Sequence, residues 1–223
     1  MVYNIIRSHR KTLAIHVRFP DIEVRAPFSA TDKQVHNFIL KKSSWIEDKL
    51  LIQSNKHDER FEISNNRLIS YMGQAKRIHC QEAAKHTVTL SENSINIHGP
   101  NLDHSKQRSL FESWLKTQAQ DILIPRTHAL IQKLSIAEKL SSTKLRKTKS
   151  KWGHCTSQGV IQYNWLILMA PNHVINYLVA HEVCHLIHLN HSKHFWGLVD
   201  EVHPGSIESK AWLKDHGHKL WLM

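Results

Sequence analysis

The segment at 171–189, PNHVINYLVAHEVCHLIHL, constrains this 223-residue chain more than any other. Val174, Ile175, Leu178, Val179, Ala180, Val183, Leu186 and Ile187 fall on nearly every side of a 3.6-residue turn, which predicts a buried helix over about 172–189. Among its polar residues, His181, Glu182 and His185 fall within five consecutive positions of the most apolar stretch. Buried polar groups are costly unless they find partners. Residues four apart stand one turn above each other on the same helical face, so His181 and His185 can share one ion. The pattern H-E-x-x-H fits Zn2+, with each imidazole about 2.0–2.1 Å from the metal. Glu182, beside the first ligand, is then placed to act as general base on a zinc-bound water, whose pKa the metal lowers to about 7.

Nineteen histidines raise the background for any such motif. With this composition a shuffled chain gives about 0.08 matches to H-E-x-x-H, so the apolar flanks and a third ligand must add the specificity. His188 lies on the same face but rises about 7.5 Å beyond the midpoint of the other two. His191 reaches back better if the helix stops near Leu189-Asn190, because Asn tolerates a left-handed turn. Requiring that histidine too lowers the chance expectation below about 0.01. The spacing H-E-x-x-H-x5-H also matches the metzincin zinc motif, with His188 where that motif has glycine. Glu201 or Glu208 on a following helix is the gluzincin-like alternative. The preferred metal set is His181, His185 and His191, with Glu182 catalytic.

Elsewhere the patterns alternate between strand and helix. Val2–Ile6, Leu13–Arg18 and Ile22–Pro27 read as strands, followed by helical spacing from Val35 to Leu50. Strands return from 67 to 100, with a hairpin turn at Glu92-Asn93. A long helical region over 110–134 contains Pro125, which predicts a kink or break. Strand patterns at Thr143–Lys149 and Val160–Leu168 precede helices over 172–189, 192–202 and 206–219. The expected fold class is α+β: small N-terminal strands plus a helix, then a C-terminal catalytic part with its active-site helix beside a β-sheet. The expected division is 1–100 and 101–223, with one continuous domain as the alternative.

The stretch from Lys149 to Trp196 resembles the YgjP-like family of zinc metallopeptidases. The matching pieces are SKWGHC (150–155), YNWLIL (163–168) ending near Pro171, HEVCHLIHLNH (181–191) and SKHFW (192–196). RKT (10–12), RAP (25–27) and Trp45-Ile46 fit the family's opening. The resemblance implies a zincin-like fold, zinc on His181, His185 and His191, and Glu182 as the catalytic residue. The same core is similar to that of SprT-like proteases, which act on proteins crosslinked to DNA. His154 departs from the family, which more often has a small residue after Trp-Gly.

Substrate in such peptidases lies extended along an exposed strand edge, held by main-chain hydrogen bonds, and Val160–Leu168 is the candidate strand. Trp152, Trp165 and Trp196 read as core packing. Tyr163, Arg146, His194 and His203 are the candidates for stabilising the oxyanion. The formal charge of +11 suits acidic partners, DNA included, or a solubilising surface. Three cysteines without C-x-x-C spacing fit reduced thiols. The charged N-terminal stretch and the lack of a long apolar run point to a cytoplasmic protein with no membrane partner. The leading expectation is a zinc metallopeptidase acting on a protein or peptide. The alternative is a nucleic-acid-binding or interaction module with structural zinc, which leaves Glu182 without a role and lacks the usual four ligands.

Overall fold

The computed structural model of the chain describes residues 2–58, 62–148 and 150–221. It divides into two compact units, Met1–Arg60 and Phe61–Met223. In the first, strands β1 (Asn4–Ser8), β2 (Ala14–Arg18) and β3 (Asp21–Pro27) lie in the order β1-β3-β2. Alternation along β3 turns Ile22, Val24 and Ala26 inward. They pack with Val35 and Ile39 of helix α1 (Asp32–Leu40) and Ile46 of α2 (Ser43–Asp58). Thr31 starts α1 through a reciprocal capping box with Gln34. The helical spacing over 35–50 thus resolves into two helices, broken at Lys41-Lys42.

The second unit opens with a four-stranded sheet, β4 (Leu68–Tyr71), β5 (Gln74–Glu82), β6 (Thr87–Leu90) and β7 (Ser94–Gly99), in the order β4-β5-β7-β6. Helix α3 (His104–Lys133) buries Phe111, Leu115, Ala119, Leu123, Thr127 and Ile131, an unbroken row at i, i+4. It shares one core with Ile78, Ile95 and Ile97 of the sheet. The sequence reading places a boundary near residue 100; residues 68–99 instead belong with α3, whose apolar row needs the sheet's apolar face. Pro125 does not break α3. Pro125 and Asp121, whose carbonyl it leaves without a donor, are both exposed, so water can satisfy that carbonyl.

A second sheet holds β8 (Ser142–Leu145), β9 (Gly153–Cys155) and β10 (Val160–Tyr163) in the order β8-β10-β9. A buried 3-10 helix, Trp165–Met169, follows β10. Then come α4 (Asn172–Cys184), α5 (Lys193–Val202) and α6 (Ser206–His216). The fold is α+β. On α4, Val174, Ile175, Leu178, Val179 and Val183 enter the main core, while Tyr177 and Cys184 join Phe195 and Val199 in a smaller one. That two-sided burial is what its apolar sequence requires. No helix among the described residues is long and apolar enough to cross a membrane.

Candidate metal centre

Helix α4 stops at Cys184, earlier than its apolar pattern suggests, with His185 as the C-cap. The next turn tightens: Leu186 N–H donates to the Val183 carbonyl, and the Ile187 and His188 N–H groups both donate to that of Cys184. Asn190 contributes its side chain rather than a left-handed backbone, accepting from the Ser192 N–H at 3.2 Å. Ser192 then caps α5 by accepting from the Phe195 N–H. This sequence of turns folds His191 back over α4.

The Nε2 atoms of His185 and His191 each lie 3.2 Å from that of His181. Nitrogen ligands of a tetrahedral zinc stand about 3.3–3.4 Å apart, by the geometry of bonds near 2.05 Å. Those two separations match the ion that the residue types suggest, and all three ligand atoms lie within 4.8 Å of one another. Among the described residues, His181, His185 and His191 are the group that could hold a metal. His185 Nδ1 lies 2.9 Å from the His188 carbonyl, a bond that fixes the tautomer and turns the Nε2 lone pair to the centre. Phe195 stacks on His185 at 4.4 Å, and Trp196 stacks on His191 at 5.5 Å. Lys210 Nζ covers the same indole at 3.9 Å. Burial, with His185, His191 and Lys210 acting in the same sense, pushes the His181 imidazole down to about 3. Burial lowers His185 as well. Both stay neutral near pH 7, the form that ligates a metal.

Glu182 is 3% exposed, and its Oε2 is buried with no hydrogen-bond partner among the described residues. Burial pushes its carboxyl up to about 8, against the pull of Lys151. An acidic group with proton affinity near neutrality is suited to general acid–base work. Gly153 of β9 lies directly against it.

The other sequence candidates disperse. His188 gives its carbonyl to His185 and stacks its ring on His194 instead of joining the cluster. Glu201 and Glu208 also stand outside the cluster. Tyr163 is fully buried with its hydroxyl 2.9 Å from Thr127 Oγ1, and Arg146 lines a cavity that none of the three histidines borders. His203 sits 6.1 Å from Tyr177, whose ring is 5.8 Å from His181. Of the three tryptophans read as core, Trp165 is buried and Trp152 stacks on Trp221, but Trp196 forms a wall of the histidine cluster. The proposed substrate strand needs correction. Residues 165–169 are a 3-10 helix, and β10 is central, paired with β8 on one side and β9 on the other. The edges are β8 and β9, and of these β9, whose Gly153 lies against Glu182, is a strand of three residues, too short to show a pattern.

Phe195 and Gly153 were not singled out by sequence reasoning. The signal for Phe195 was its place four residues after His191, where a helix would bring it alongside. For Gly153, the signal was a glycine without a turn partner. The family model for the YgjP-like metallopeptidase domain matches residues 11–216. No curated protein matches the chain.

Proposed function

The chain belongs to the YgjP-like metallopeptidase family, and on that premise we propose that it hydrolyses peptide bonds with zinc on His181, His185 and His191 and Glu182 as general base. One observation carries the reading: the Nε2 atoms of His185 and His191 each stand 3.2 Å from that of His181, next to a buried carboxyl group with an unused oxygen. When bound, zinc supplies Lewis acidity for a carbonyl and lowers the pKa of water to about 7. Glu182 takes the proton of the attacking water and returns it to the leaving amine. Three donors among the described residues, rather than four, favour an open catalytic site over a structural one. Among the described residues β9 pairs with β10 alone, so its other edge offers main-chain groups to an extended protein segment whatever its sequence. Cys80, Cys155 and Cys184 are free thiols, in keeping with a cytoplasmic setting.

The test is hydrolysis of an unfolded protein. Activity should disappear on metal removal by a chelator and return when about one zinc per chain is restored. Metal-free protein that cleaves at the parental rate would remove the metal from the mechanism.

A nucleic-acid contact is a second reading, favoured by a cationic cavity of about 640 Å³ against α3. Arg108 and Lys147 line it and share Glu112 at 2.9 and 2.6 Å. Lys116 and Arg146, also in the lining, have no side-chain partner among the described residues. If those two neutralise phosphates, raising salt fourfold should weaken DNA binding about tenfold. Replacing both with alanine should flatten that dependence. Binding undetectable at about 50 mM salt would leave the charge as a solubilising surface.

A further inference from the structure

Gly153 is a glycine that its own backbone does not need. Its φ lies outside the left-handed region, unlike those of Gly73, Gly159 and Gly205. It is the first residue of β9, paired with Tyr163 of β10, where a residue with a side chain ordinarily serves a strand better. What excludes a side chain is Glu182. A Cβ at position 153 would lie 2.5 Å from the Glu182 Cδ and 2.6 Å from its Cγ, and would overlap Oε1 outright. All three nearest atoms belong to this one side chain. At Gly159, by contrast, the nearest atoms are backbone and the φ is +74.

We propose that Gly153 is the positioning residue for Glu182: its bare α-carbon is the space in which the carboxylate rests, and it sets how close edge strand β9 approaches the base. This rests on the reading of Glu182 as general base and of β9 as the substrate edge. The same feature links the two roles. The strand that would hold the substrate main chain touches the group that would move the proton. A methyl group here must displace one or the other. The colliding atoms are the outer part of a flexible side chain, so the carboxylate yields first, by roughly 1 Å to reach ordinary contact.

A misplacement of that size costs about 10²-fold in rate. Gly153→Ala should therefore lower kcat about 10²-fold with KM and zinc content unchanged. A second readout needs no activity. Gly153→Ala should lower the melting temperature when Glu182 is present, and the loss should vanish in a Glu182→Ala background, where the methyl has room and the fold is relieved. Parental kcat in Gly153→Ala, lost zinc, or a melting penalty that persists without the Glu182 side chain would each overturn the proposal. The two readings fail separately. An active Glu182→Gln protein refutes the general base, whereas an inactive Glu182→Gln beside an active Gly153→Ala refutes only the positioning.

Discussion

Glu182→Gln should bind zinc and melt like the parent while losing nearly all hydrolysis, since removing a positioned general base typically costs about 10²–10⁴-fold. The substitution keeps the volume of a side chain that is boxed in by β9. It removes the oxygen that can hold a proton, and little else. A pH signature accompanies it in the metal-free protein. Burial holds the Glu182 carboxyl up at about 8, above its ordinary value of 4.5. The folded state therefore binds the proton more tightly than the unfolded state. The stability this gives is full below about 4.5 and is lost as pH rises through about 8. Glutamine has no such dependence, so metal-free Glu182→Gln should out-melt the metal-free parent above pH 8. Parental cleavage by this variant would refute the mechanism, and loss of its zinc would make Glu182 a ligand.

The second large effect concerns the histidines. His181→Ala and His185→Ala should lose the metal, and with it activity. His191→Ala should weaken zinc binding by more than the roughly 10–100-fold that loss of a supporting hydrogen bond costs. Unchanged zinc content in that last variant would return Glu201 or Glu208 to consideration. The pH dependence has the opposite sign to that of Glu182. His181 is held at about 3, and His185 is also lowered, mainly by burial. Below about 6.5 the unfolded chain takes up protons that these two refuse when folded. In metal-free Glu182→Gln protein, which lacks the opposing carboxyl, stability should therefore fall as pH drops from about 6.5 toward 3, a trend that thermal melts across this range would measure.

Much of this site was legible because its chemistry is local. His181, Glu182 and His185 lie within five residues, and helix periodicity alone puts the two imidazoles on one face. His191 required a guess about where α4 ends. The structure brings His191 into the histidine cluster by a tightened helix end and the Ser192 cap, not by a left-handed Asn190. What the sequence concealed is set by pairing between distant segments. β9 is too short to leave a pattern, so the apolar run at 160–168 looked like the exposed strand when it is the centre of its sheet and then a 3-10 helix. The same holds for residues 68–99, which lie far from α4 in the chain yet share its core. Side-chain stacking such as Trp196 on His191 also escapes periodicity, because it depends on the angle between α4 and α5 rather than on either helix.

The most direct test of the account is the identity and ligand set of the metal in the purified protein. Diffraction data collected on either side of the zinc absorption edge should give one anomalous peak per chain, bounded by Nε2 of His181, His185 and His191 at about 2.0–2.1 Å, with Glu182 outside bonding distance. A peak on other residues, a fourth protein ligand closing the site, or no zinc signal in active protein would contradict it.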